Sequence, residues 1–97
     1  MKFEWDENKN IKNIKNHGIS FEEAAFVFSD KDAISLFDDD HSDYEERWIT
    51  IGTIKSHGIT VVVHTERIKG EFEFIRIISA RKAEKNESEE YIKRIGR

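Results

Sequence analysis

Three strand-like runs constrain this chain most: RWITIGTI at 47 to 54, ITVVVHTER at 59 to 67 and EFEFIRIISAR at 71 to 81. β-Branched and aromatic residues dominate each of them, as a half-buried pleated surface requires. The first two are joined by Lys55-Ser56-His57-Gly58 and the last two by a turn around Lys69-Gly70. Links this short return the chain antiparallel, because a parallel crossover needs a dozen residues or more. An antiparallel meander is therefore predicted, and its faces must be covered by whatever else the chain forms.

The flanking segments supply that cover. MKFEW at the start sets Phe3 and Trp5 on one side of a short alternation and predicts a strand. Asp6 reads as an N-cap, Ile11 and Ile14 recur at helical spacing, and Gly18 closes a helix over residues 7 to 16, with Lys9, Lys12 and Lys15 outward. Ser20 and Glu23 have capping-box spacing, and Phe21, Ala24, Ala25 and Phe28 then form a helical stripe whose simplest use is core packing. AISLF at 33 to 37 is a short β run, followed by the polar loop DDDHSDYEE. That loop lacks the central glycine and distant glutamate of an EF-hand, so it reads as a solvated acidic loop with no metal. From Glu84 onward acidic residues come first and Lys93, Arg94 and Arg97 last, the order a helix dipole prefers, with Tyr91, Ile92 and Ile95 as one apolar face. The order is β-α-α-β-β-β-α, which predicts an α+β domain spanning residues 1–97, an antiparallel sheet packed by helices.

Composition narrows the function. With 97 residues, 37% of them hydrophobic, the chain suits one compact domain. No run is long and apolar enough to span a membrane, and the charged MKFEWDENKN does not resemble a signal peptide, so a cytoplasmic protein is expected. Cysteine is absent, which removes disulfides, thiolate zinc sites and cysteine nucleophiles. A net charge of −4 argues against an extensive basic face, yet the charge is uneven. Asp30 to Glu46 is strongly acidic, whereas Arg76, Arg81, Lys82, Lys85, Lys93, Arg94 and Arg97 weight the last quarter, which leaves room for a local basic site.

FEWDENK at 3 to 9, NHGISFEEA at 16 to 24, DDDHSDYEERW before the second long strand, HTER at 64 to 67 and IRIISARKA at 75 to 83 together resemble the BrnT family of type II toxins. The resemblance runs nearly end to end. It implies a RelE-like fold and a small ribonuclease that cleaves mRNA without a cofactor. It also implies silencing by a cognate antitoxin, typically a ribbon-helix-helix protein, whose complex with the toxin binds operator DNA.

Metal-independent RNA cleavage needs the 2′-hydroxyl deprotonated, the charge of the pentavalent phosphate stabilised and the leaving 5′-oxygen protonated. Arginine suits the middle task, because its planar fork pairs with phosphate oxygens and keeps its charge. Arg67 and Arg81 each end a strand-like run and are the first candidates; the competing role is an ion pair with a neighbour such as Glu66 or Glu84. A two-residue turn at Lys69-Gly70 would place Arg67 on the face of Phe74 and Arg76 and send Arg81 to the other. A three-residue loop, or one bulge in the last strand, restores a common face, and one of these is expected.

For proton transfer, His17 ends the first helix in Asn16-His17-Gly18, where the helix C-terminus favours its protonated form; helix capping is the alternative. Glu46 is a candidate general base. Tyr91 is a candidate acid or base-stacking platform if Lys82 or Arg94 supplies a cationic neighbour, and otherwise an anchor of helix to sheet. Lys82, Arg76 and His64 are candidate substrate contacts, although a histidine inside a strand is more often packed and hydrogen-bonded. His41 and His57 read as solvated. A non-catalytic module that binds RNA or protein through the same basic residues is the second functional class.

Overall fold

The structure is a computed structural model that describes residues 1–41 and 45–96. Asp43 of the acidic loop, the C-terminal Arg97 and the side chain of His41 lie outside the described residues. The chain forms β1 (Lys2–Glu4), α1 (Glu7–His17) and α2 (Phe21–Ala24), which runs directly into a 3-10 helix at Ala25–Ser29. It continues through β2 (Ile34–Phe37), a 3-10 turn at Asp39–His41, β3 (Trp48–Ile54), β4 (Gly58–Lys69), β5 (Phe72–Lys82) and α3 (Lys85–Ile95).

The α+β class holds, with one sheet in the order β1-β5-β4-β3-β2. Two details of the expected order are corrected. AISLF pairs antiparallel with β3, from Ile34 opposite Ile51 to Phe37 opposite Trp48, so the sheet has a fifth strand. The sheet is mixed, because β1 joins the far side of β5 in parallel, Phe3 opposite Ile75. The meander itself forms as predicted.

Register in β4–β5 decides what each face carries. Lys69 opposes Phe72, so the two-residue turn is Gly70-Glu71, one position later than expected. Gly70 has φ 61, a left-handed value that costs glycine nothing, at the first of the two turn positions. Further along, His64 opposes Ile77 while Val63 opposes Ser79, leaving Ile78 as an extra residue in β5. This is a β-bulge, and it reverses the parity of everything after it.

Helices α1 and α2 and the 3-10 helix cover one face, over a core of Ile19, Phe21, Ala24, Val27, Val62, Ile75 and Ile77 among others. Gly52 permits the approach: a Cβ there would meet the Val27 carbonyl oxygen at 3.1 Å and its Cβ at 3.2 Å. On the other face α3 covers one end only, where Ile34, Ile51, Val61 and Tyr91 form a smaller core. The rest of that face is open.

Helix α1 keeps Lys9, Lys12 and Lys15 exposed as expected, but it docks through asparagines and not through its isoleucines. Ile11 and Ile14 are 58% and 45% exposed, whereas Asn10 and Asn13 are buried. Asn10 accepts a hydrogen bond from the Phe21 N–H at 2.8 Å, fixing the start of α2. Asn13 donates to the Ala80 and Ile19 carbonyls, both at 2.8 Å, and accepts from the Ala80 N–H at 3.1 Å. Its carboxamide thus pairs with β5 as a peptide group would, just beyond the point where β1 stops. In α3, similarly, Tyr91 is buried but Ile92 and Ile95 are exposed.

Candidate functional site

Residues directly opposed in a ladder share a face. The pairs Arg67–Phe74, Thr65–Arg76, Val63–Ser79 and Val61–Arg81 therefore place all three arginines on the open face, and the bulge at Ile78 is what brings Arg81 there. The expectation of a common face is met by the bulge. The spacing adds a restriction that face alone does not. From Val61 to Arg67 along β4 is ~20 Å at strand rise, too far for Arg67 and Arg81 to hold one phosphate. Arg67 and Arg76 are diagonal neighbours, ~7–8 Å apart, and can hold one together.

Their partners differ. Arg67 donates from Nη2 to Glu4 Oε1 at 2.5 Å. Arg81 makes a two-pronged pair with Glu87, Nη1 to Oε1 at 2.7 Å and Nη2 to Oε2 at 2.8 Å, and Glu87 Oε1 also caps the Glu84 N–H at the start of α3. The Arg81 hydrogen bonds hold the Glu87 carboxyl below its usual range. So both arginines are ion-paired, with Glu4 and Glu87 rather than Glu66 and Glu84. Arg76 has no hydrogen bond or ion pair among the described residues and is half-buried. A guanidinium held on a sheet face without an anion is poised to accept one.

The cross-strand rows at this end of the open face read Lys2–Phe74–Arg67, Glu4–Arg76–Thr65 and Phe72–Lys69. Four cations stand against one carboxylate, on a chain of net charge −4. The reverse face of the same hairpin carries Glu66 and Glu73, which with Glu46, Trp48, Arg67 and Ile68 line a cleft of about 340 Å³. Burial, then the charge of Glu73, pushes the Glu66 carboxyl up. The hairpin is thus polarised, with basic and aromatic residues on one face and acidic residues on the other. A larger cavity of about 590 Å³, beside the 3-10 helix, contains none of the candidate residues.

The remaining candidates scatter. His64 lies on the helix-covered face, 0% exposed, edge-on to Phe28 at 4.8 Å. Its Nε2 is 2.6 Å from Thr50 Oγ1, which is 2.8 Å from Ser35 Oγ. Nδ1 has no hydrogen-bond partner and sits 3.8 Å from Glu66 Oε1, which favours the tautomer with its proton on Nδ1. Tyr91 joins the small core; its hydroxyl donates to Asp30 Oδ2 and accepts from Thr53 Oγ1 at 3.0 Å. The expected cationic neighbour is replaced by an acidic one, and burial together with the Asp30 bond pushes the phenol up. It anchors α3 to β3.

Glu46 is exposed in the segment before β3 and lines the acidic cleft. His17 is exposed at the end of α1, one turn after Asn13, with no contact to the arginines among the described residues. Lys82 is exposed, opposes Thr60 and falls on the face away from Arg81. His57 is not simply solvated: its Nδ1 is 2.8 Å from Ser56 Oγ and 3.4 Å from Glu23 Oε2. Glu4 and Glu87 were missed, though Glu4 belongs to the FEWDENK motif that carries the resemblance.

Burial lowers the His64 pKa from 6.5 to about 4. Between these values the unfolded chain holds a proton that the folded chain does not, so stability is fully present above pH 6.5 and declines toward pH 4. The loss should amount to about 3 kcal/mol, read from urea unfolding across this range. A His64→Gln chain should lose most of that slope.

No helix among the described residues is long and apolar enough to cross a membrane. No curated protein matches the chain. A protein-family comparison matches residues 5–87 to the family described as the ribonuclease toxin, BrnT, of type II toxin-antitoxin systems. The match runs from just after β1 to the first turn of α3, and so includes the bulge, all three arginines and Glu87. With most of its length accounted for in this way, the chain belongs to the BrnT family of type II ribonuclease toxins.

Proposed function

We propose that this chain cleaves RNA by metal-independent acid/base chemistry on the open face of its sheet, with Arg76 as the central phosphate contact. The observation that carries this reading is an unpaired guanidinium flanked by two paired ones on a single face. Arg67 and Arg76 together hold the phosphate that is cut. Arg81, ~13 Å from Arg76 along the strand, meets a different phosphate of the same RNA.

Glu4 supplies the base. It lies opposite Arg76 in the β1–β5 ladder and is bonded to Arg67. A phosphate that takes Arg67 releases the Glu4 carboxylate next to the substrate, where it accepts the 2′-hydroxyl proton. The 2′-oxygen then attacks the phosphorus and the 5′-oxygen leaves, taking a proton from solvent water at this exposed face, which gives a 2′,3′-cyclic phosphate and a 5′-hydroxyl. Charge on the pentavalent phosphate is met by Arg76, which has no bond to break, and by Arg67 once it has left Glu4. Glu46 and Tyr91 stand outside this cluster, and His17 and Lys82 are assigned no proton transfer in it.

The activity belongs to the cytoplasm, where a cognate antitoxin, of the ribbon-helix-helix type that the family resemblance implies, silences it. Operator DNA is reached through that complex and not by the toxin alone. A second reading, a binding module without catalysis, is favoured by the ion pairing of both Arg67 and Arg81. The appearance of new RNA 5′ ends when the chain is made without antitoxin separates the two.

A further inference from the structure

The open face carries two aromatic rings that the cleavage chemistry does not use. Phe72 is 50% exposed and Phe74 half-buried, their centroids 6.5 Å apart and their planes at 63°. Their rows also hold Lys2, Arg67 and Lys69, and Arg76 stands in the next row on the same face. Lys2 Nζ lies over the Phe72 ring, 4.2 Å from its centroid. A singly exposed phenylalanine is ordinary, but two rings in contact beside a row of cations form a contiguous apolar patch with a charged rim, the kind of surface that marks an interaction site. Cations alternating with flat apolar rings suit a polymer that is anionic along its backbone and aromatic at each side group.

We infer that Phe72 and Phe74 form a stacking platform for unpaired nucleobases, so that the substrate class of this face is single-stranded RNA. The inference deepens the ribonuclease reading and rests on it for the location of the cut phosphate. A duplex keeps its bases stacked inside the helix and offers only phosphates, which the chain's overall negative charge would hold weakly. A single strand can lay a base against Phe74 while its phosphates reach Arg67 and Arg76. Lys2 then swings from the Phe72 ring to a neighbouring phosphate, which exposes that ring to a second base. Specificity for base identity is not part of the device, because every base has a flat face.

The probes are three 2′-O-methyl oligonucleotides of equal length, which cannot be cleaved through the 2′-oxygen: an oligoadenylate, the same strand with abasic sites, and the oligoadenylate annealed to its complement. The full chain should bind the single strand about tenfold or more tighter than either of the others. A Phe72→Leu/Phe74→Leu chain should lose that preference while keeping its salt dependence. Equal binding of the abasic strand, equal binding of the duplex, or no binding of any probe overturns the inference. A face that binds only the antitoxin overturns it as well. Because the probes are not cut, this result is independent of the RNA-end measurement: cleavage with no stacking preference contradicts the platform alone, and a stacking preference with no cleavage contradicts the ribonuclease reading alone.

Discussion

Replacing Arg76 by alanine should lower RNA cleavage about a hundredfold or more, while the urea midpoint of the chain stays within experimental error of the wild type. The size follows from removing a preorganised donor from a phosphate that gains charge in the transition state, an effect of ~10²–10³ in rate. The absence of a stability cost follows from the environment, since Arg76 makes no hydrogen bond or ion pair among the described residues that its loss would break. Arg81 is the less clean test. Its removal leaves Glu87 without the two hydrogen bonds that hold it, so an Arg81→Ala chain should lose both activity and ~1–2 kcal/mol of stability. Comparing the two variants by rate of RNA-end formation per amount of folded protein separates chemistry from folding. If Arg76→Ala cleaves as fast as wild type, the phosphate site lies elsewhere.

The second large effect is on folding. Asn13→Ala should destabilise the chain by about 3 kcal/mol or more in urea unfolding, out of the roughly 5–15 kcal/mol such a domain has. The carboxamide serves both backbone groups of Ala80 and the carbonyl of Ile19, and alanine leaves all three without partners beside a well-packed core. Asn13→Asp should be nearly as damaging, because it keeps the acceptor for the Ala80 N–H but loses both donors and adds a buried charge. By contrast Ile14→Ala, a far more apolar change one position away, should cost well under 1 kcal/mol, since that side chain is exposed. A midpoint insensitive to Asn13→Ala would mean that α1 is not docked on the β5 edge by this side chain.

These two residues also mark the limits of what sequence shows. Periodicity located α1 and its caps, since Asp6 and Gly18 act locally: the Asp6 carboxylate accepts from the Asn8 N–H and Gly18 adopts φ 72. It missed the docking asparagines, because docking here depends on an amide matching a strand edge 67 residues away, and hydrophobic pattern carries no signal for that. The meander was legible because β-branched runs and two short links leave one solution. The parallel pairing of β1 was not, since nothing in MKFEW distinguishes one sheet edge from another. Arg67 and Arg81 were found from their positions at strand ends. Their partners were sought among sequence neighbours, Glu66 and Glu84, whereas Glu4 arrives through the β1–β5 pairing and Glu87 through one turn of α3. Sequence offers Arg76 only as a candidate substrate contact, because the face it takes depends on register. With the turn at Gly70-Glu71 and the bulge at Ile78 in place, it is the central residue of the basic face.

The central claim, that this face cuts RNA, is tested most directly by inducing the chain in cells without its antitoxin and mapping RNA 5′ ends chemically. The account predicts new 5′-hydroxyl ends within the induced culture, upstream fragments that end in 2′,3′-cyclic phosphate, and near-complete loss of both in an Arg76→Ala chain that remains folded. Unchanged RNA ends from folded wild-type protein would contradict it, as would new ends bearing 5′-phosphate, which the 2′-hydroxyl route cannot make.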